Sequence, residues 1–220
     1  MPRVVKHKMC YIGERTSPTG LRDKMAETGK YRPKSLTYTK ALSGGARERL
    51  RELILYVSEN CEKAERFGMI KLNKIIWRAD FMAFEKRHTP ITGAGYQKLQ
   101  HGPALIDMKP VLREMRDRKD IEIEAIDVDG KREQRVIAIL PSHANYFSAE
   151  DLKFVDEAIA YYWNKTGTEA SDDSHGVAWK TREERDKIPY EATFLNDAKL
   201  SGERKKKFAK MAHEKRWVSR

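Results

Sequence analysis

Nowhere in the 220 residues does an apolar run approach the roughly 18 that a membrane span needs. Nor does a basic start lead into an apolar stretch, so no secretory signal is expected. Cysteine is nearly absent: Cys10 and Cys61 stand far apart and without CxxC spacing, which argues against a disulfide framework or a thiolate metal site. The six histidines (His7, His88, His101, His143, His175, His213) show no HxxxH spacing, and neither GxSxG nor a Walker A loop occurs. Ser174 and His175 are adjacent, and neighbours on one helix point apart, so they cannot share a nucleophile–base site. We therefore expect no catalytic, cofactor-binding or metal-binding residues, and a reduced, cytoplasmic setting.

Charge is plentiful but unevenly placed. Residues 1–45 hold ten Lys/Arg against three Asp/Glu, and residues 201–220 hold eight against two. The formal net charge of +11 therefore resides in the two ends, and the middle is close to neutral. Basic appendages that reach for an acidic partner explain this better than a uniformly basic nucleic-acid-binding fold. We divide the chain into a basic arm (1–45), one domain (46–195) and a basic tail (196–220).

The arm shows neither helical nor strand periodicity and is punctuated by proline and glycine. From Ala46, Leu50, Leu53, Ile54, Val57, Cys61 and Ala64 recur on one helical face, with charges opposite. A second helix is expected from about Met69 to His88. It carries one apolar arc of Leu72, Ile75, Ile76, Ala79, Met82 and Ala83, and a second of Trp77, Phe81 and Phe84. Two arcs mean burial on two sides, which makes this the central helix. Asn73 and Asp80 lie between the arcs. A carboxylate there must be hydrogen-bonded or paired. On the side away from them, beside the second arc, Lys71, Lys74, Arg78 and Glu85 form a polar stripe, whose basic members are expected to be exposed.

Further along, Tyr96 to Gln100 reads as a short extended piece before a Gly102-Pro103 turn, and a helix begins near Asp107 with Pro110 in its first turn. Residues 121–124 alternate as a strand does, Asp129-Gly130 signals a hairpin turn, and Val136 to Leu140 returns. Ser148 and Asp151 make a capping box for a helix bearing Leu152, Val155, Ile159 and Tyr162. After Gly167 another helix carries Ser171, Ser174 and His175, then Trp179. The expected class is α+β, predominantly helical: a helical domain with one β-hairpin and basic N- and C-terminal extensions.

Three segments carry a family resemblance: KLNKIIWRADF at residues 71–81, PITG at 90–93 followed by Tyr96-Gln97, and His101-Gly102-Pro103. Together with Ser171, Ser174, His175 and Trp179 downstream, they are similar to the two signatures of the Panacea, or SocA-like, antitoxin domain, across roughly residues 47–195. His101 departs from the pattern, which more usually has an aromatic residue there, and the arm lies outside it. The resemblance implies an antitoxin that neutralises a cognate protein toxin by direct contact, with alarmone-synthetase-like enzymes among the implied toxins. It brings no catalytic residue. One relative implies an alternative, an adaptor that delivers its toxin to a protease.

Read for their own chemistry, the motif residues Asp80, Tyr96, Gly102, Pro103, His175 and Trp179 are structural. Gly102 and Pro103 shape a turn, while His175 and Trp179 pack and hydrogen-bond. Candidate partner contacts are Lys71, Lys74 and Arg78 on the stripe and Arg204, Lys205, Lys206 and Lys207 in the tail. The same tail, with the arm's Tyr11, Tyr31 and Tyr38, gives the rival reading of a nucleic-acid-binding regulator, or of weak nucleic-acid contact beside toxin binding.

Overall fold

The computed structural model describes Leu42 and residues 44–195 apart from Asp129; the basic arm up to residue 41 and the basic tail lie outside the described residues. Two helices form the centre: α1 (Gly45–Asn60) and α2 (Met69–Arg87). The expected apolar face of α1, Leu50 to Val57, is buried in full, and Cys61 and Ala64, expected on the same helix, are buried just past its end at Asn60. Its charged face is not the solvated surface its periodicity suggested, because Arg49, Arg51 and Glu52 are buried as well. Arg51 pairs with Asp120 at 2.8 Å, Glu52 accepts the backbone N–H of His143 at 2.6 Å, and Arg49 donates to the carbonyls of Ile91 and Tyr146. Charges with this many partners can be buried without being left uncompensated.

The second helix ends where the residues dictate. His88 takes the left-handed conformation (φ 56°) and Pro90 follows two residues later, where continuing the helix would be disfavoured. Residues 91–95 lead into a tight antiparallel hairpin, β1 (Tyr96–Leu99) and β2 (Gly102–Leu105). Gln100 and His101 make its turn, so Gly102 and Pro103 belong to the returning strand, not to the turn expected for them. A two-residue strand near the end of the described chain, β5 (Lys187–Ile188), pairs antiparallel with β1 and completes a sheet of order β2-β1-β5.

Helix α3 (Met108–Asp117) starts one residue after Asp107 and buries Met108, Val111, Leu112 and Met115. The expected long hairpin is present as β3 (Ile121–Val128) and β4 (Lys131–Ala138), in register from Ile121 opposite Ala138 to Val128 opposite Lys131. Gly130 turns with φ 76°, and its N–H donates to the Asp127 carboxylate at 2.9 Å. Helix α4 (Ala149–Tyr162) packs along α2. Short helices α5 (Gly167–Asp173) and α6 (Val177–Lys180) and a 3-10 turn (Tyr190–Phe194) follow. The class is the expected one, mixed α+β and mostly helical, with a second small sheet beside the single hairpin foreseen. Among the described residues no helix is long and apolar enough to cross a membrane.

The capping box of α4 does more than start a helix. Ser148 Oγ accepts the Asp151 N–H at 3.1 Å, and Asp151 accepts the Ser148 N–H at 2.9 Å. The same buried carboxylate also receives Arg49 and Arg87. Burial would raise the Asp151 carboxyl, but Arg87, the Ser148 N–H and Arg49 outweigh it and hold the group below its usual range. Asp151→Asn leaves Arg49 without a counter-charge among the described residues and Arg87 with only the exposed Glu150, and should cost about 3–5 kcal/mol in urea unfolding at neutral pH. A folded-state value held low gives stability that is present above the unfolded carboxylate range and is lost as pH falls through the folded value. The gap between the two proteins should therefore narrow in acid.

Candidate functional site

Asp80 is fully buried on α2, as its place between two apolar arcs required. Its Oδ1 accepts the backbone N–H of Ile91 at 2.8 Å and of Thr92 at 2.7 Å. Its Oδ2 faces three hydroxyls: Thr92 Oγ1, Tyr96 Oη at 2.7 Å and Tyr190 Oη at 3.2 Å. Every one of these partners is a hydrogen-bond donor, and no cation is among them. Burial pushes the Asp80 carboxyl up, opposed by the hydrogen bonds from Thr92, Tyr96 and Tyr190. Burial, then the Asp80 charge, pushes the Tyr96 phenol well up, so Tyr96 remains a donor. Phe81, Tyr96 and Tyr190 pack their rings around the carboxylate at centroid separations of 5.1–5.8 Å, which excludes water from it.

About two turns earlier on α2, Asn73 and Lys74 grip the β1–β2 hairpin. Asn73 donates to the Pro103 carbonyl at 2.8 Å and accepts the Leu105 N–H at 3.0 Å, while Lys74 Nζ donates to the same Pro103 carbonyl at 2.9 Å. The second signature closes on the same hairpin. Ser171 Oγ donates to the His101 carbonyl at 2.9 Å, and Trp179 Nε1 donates to that of Leu99 at 2.8 Å. His175 stacks on Trp179 at 3.9 Å between centroids, and Lys98 lies 4.3 Å from the same indole. The continuous helix expected to carry these residues is broken at Gly176: Ser174 ends α5 and Trp179 lies on α6. Gly102 sits where these pieces meet, with φ 94°. A Cβ there would collide with Ser174 Oγ and lie 2.6 Å from Lys74 Nζ, so glycine is demanded twice over.

The basic stripe is corrected by this geometry. Lys71 and Lys74 are each only 1% exposed, because the hairpin and the end of α4 cover that face of α2. Lys71 donates to the Trp163 carbonyl at 2.9 Å, a cation on the C-terminal end of α4. Burial pushes the Lys74 ammonium down to about 7, and burial followed by Lys74 lowers His175. Arg78 is partly exposed and lies over the Tyr161 ring at 3.6 Å. Arg204, Lys205, Lys206 and Lys207 fall outside the described residues.

Sequence reasoning missed Tyr190. No spacing rule connects it to Asp80, 110 residues away, and the only signal was an aromatic residue after Pro189. A second capping box, Thr166 with Glu169, was legible in the chain and explains why α5 begins where it does. Among the described residues no group of three or more His, Cys, Asp or Glu is placed to hold a metal.

Beside the hairpin cluster a groove of about 280 Å³ runs between α2 and the segment from α5 to Leu195. Pro103 and Ser174 contribute to it, so part of its lining is fixed by the bonds just described.

Residues 72–180 match the family model described as antitoxin SocA-like, Panacea domain. The match takes in Asp80, the hairpin and the second signature, and leaves out Lys71 and Tyr190. No curated protein and no solved structure matches the chain.

Two substitutions test the cluster. Asp80→Ala strands two backbone N–H groups and the surrounding hydroxyls, and should lower unfolding stability by about 3–5 kcal/mol. Lys74→Met removes a group whose folded value, about 7, lies below its unfolded 10.5. The penalty of the buried charge is complete below the folded value and is relieved as pH rises toward the unfolded one. Wild-type stability relative to Lys74→Met should therefore rise by ~2 kcal/mol from pH 7 to pH 9. Denaturant melts at the two pH values read this directly.

Proposed function

We propose, from the SocA-like Panacea domain carried by residues 72–180 of this chain, that the protein is the antitoxin of a toxin–antitoxin pair and holds a protein toxin inactive by direct contact. The family match carries the reading, and it favours a regulatory, non-enzymatic role. The chemistry of the signature residues agrees with it. Asn73, Lys74, Ser171, Ser174 and Trp179 all donate to backbone carbonyls. Asp80 accepts from every side. These groups hold backbone in place, so the signature supplies a rigid platform, and affinity is left to the surfaces around it.

In this reading the arm, residues 1–45, and the tail, residues 196–220, flank the antitoxin domain and meet an acidic patch of the toxin, with the tail's Arg204 to Lys207 leading. The concentration of positive charge in both ends also favours a second role, contact with nucleic acid, and salt separates the two. Phosphate binding weakens steeply with ionic strength, whereas a protein interface with an apolar centre does not. Handing the toxin to a protease would be a further step of the same binding, visible as loss of toxin in cells that keep the protease and not in cells without it.

Co-expression with the product of the neighbouring gene should rescue growth, and the two proteins should co-purify. Titrated against the toxin's activity, the protein should reach full inhibition near equimolar. Protection at far lower ratios would mean turnover and overturn the reading, as would a neighbour that is neither toxic nor bound.

A further inference from the structure

Lys74 and His175 bring two basic groups into one corner of the clasp, with few acceptors between them. Lys74 Nζ, Ser174 Oγ and the His175 ring all lie within 3.3 Å of the point where a Cβ on Gly102 would stand. Lys74 is 1% exposed, and its hydrogen-bond acceptor among the described residues is the Pro103 carbonyl. An ammonium carries three N–H donors, which one carbonyl does not satisfy. His175 Nε2 is buried without a hydrogen-bond partner.

The surroundings supply little counter-charge. Lys98 lies on β1, His101 in the hairpin turn, Lys180 and Arg182 at the end of α6, and Arg78 one turn after Lys74 on α2. Of the carboxylates, Asp172 stands 3.9 Å from His175 Nδ1 but is 73% exposed. Asp173 is committed to Tyr161, Tyr162 and Lys165. Charging Lys74 therefore adds a cation to a corner already rich in them, out of reach of water.

The cover over this corner is weakly anchored. Helix α5 spans seven residues with Ala170 as its buried apolar side chain, and α6 spans four with none buried. Side-chain hydrogen bonds hold them: Ser171 to the His101 carbonyl, Trp179 to that of Leu99, and Asp173 to the hydroxyls of Tyr161 and Tyr162. The rest of the clasp does not depend on them. Asp80 is bonded to Ile91, Thr92, Tyr96 and Tyr190, and Asn73 holds Pro103 and Leu105. Short elements that bury little apolar surface open locally at lower cost than the whole domain.

We propose that α5 and α6 form a proton-driven latch, which lifts from the hairpin when Lys74 takes up a proton and lets water reach its ammonium and His175 Nε2. Burial holds Lys74 at about 7 in the closed form, against the ordinary 10.5 of a solvated lysine. The open form binds the proton more tightly, so falling pH favours opening. These two values make the opening constant rise about 50-fold from pH 9 to pH 7, and the Lys74 contribution levels off below about pH 6. His175, held below its ordinary 6.5 by burial and then by Lys74, adds to the effect only in more acid solution. Ser174, Val177 and Trp179 line the groove, so the lifting latch takes one wall of it away. The device does not depend on the antitoxin reading.

Amide hydrogen exchange of the full chain, corrected for the intrinsic rate of each amide, reads the opening constant. The amides of Ala170, Ser174 and Trp179, bonded within the latch, should open more often than those of α1 and should not accelerate in low urea, whereas α1 should. Between pH 9 and pH 7 the latch constant should rise about 50-fold in the wild type. Lys74→Met should abolish that rise with the latch closed. Lys74→Arg keeps its charge at both pH values and should hold the constant high at both. His175→Gln should preserve the rise, because His175 is neutral throughout this range.

Latch exchange that matches α1 in both size and urea dependence would mean that these helices open only with the whole domain, and the proposal falls. A constant that ignores pH, or that still rises in Lys74→Met, removes Lys74 as the trigger and overturns it equally. The wild type and His175→Gln decide the matter even where a Lys74 variant fails to fold: a rise lost in His175→Gln assigns the trigger to the histidine, against the proposal.

Discussion

A single buried carboxylate holds distant parts of this domain in register. Asp80 is placed on the central helix by nothing more than its spacing from two apolar arcs, and it draws to itself the backbone of Ile91 and Thr92, the first strand through Tyr96, and the last turn of the described chain through Tyr190. A loop such as 91–95 has no ladder of its own, so its N–H groups need an acceptor wherever water is excluded. Supplying that acceptor from a helix fixes both the loop's path and the point at which the strand begins. The arrangement stands because each contact satisfies a donor that burial would otherwise strand.

The β1–β2–β5 sheet extends the same logic. Strands of four, four and two residues make too few ladder bonds to be stable by themselves. The missing bonds come from side chains. Asn73 and Lys74 approach Pro103 from the helix, and Ser171 and Trp179 take the carbonyls of His101 in the turn and of Leu99 just before it. Proline at position 103 fits this scheme, since its own nitrogen has no hydrogen to place and its carbonyl receives two donors. Residues that are far apart in the chain and look like two separate signatures thus form one clasp around one hairpin.

Much of this was legible in the sequence, and what was not has a physical reason. Period fixes which side of a helix is apolar, so the arcs of α2, the burial of Asp80 and the apolar face of α1 could all be read. Short-range chemistry fixed the Ser148 capping box and the turn at Gly130. Period does not say what covers the remaining side. Lys71 and Lys74 read as a solvated stripe, yet one caps α4 and the other is closed over by the hairpin, because long aliphatic stems let an ammonium reach a carbonyl from inside a core. Arg49, Arg51 and Glu52 on α1 were misplaced for the same reason, their partners lying 42 to 102 residues away. The break at Gly176 changed which helix carries Trp179, but not the residues that touch. Tyr190 had no local signal beyond an aromatic ring after a proline.

Pro103 links the interior of this domain to its surface. Its carbonyl is the acceptor for Asn73 and Lys74, and the same residue lines the groove between α2 and the later helices. Ser174 is shared in the same way: its hydroxyl bonds to the Ser171 carbonyl, it stands over Gly102, and it lines the groove. The hairpin and the groove therefore cannot move independently. A side chain larger than glycine at position 102 would drive Ser174 and Lys74 from their places, and the displacement would reach the groove through atoms already in contact. The interior bonds of the signature thus reach the groove that two of its residues line. The signature residues set the shape of the surface next to them, and their own polar groups, spent on keeping that shape, are withheld from promiscuous contacts.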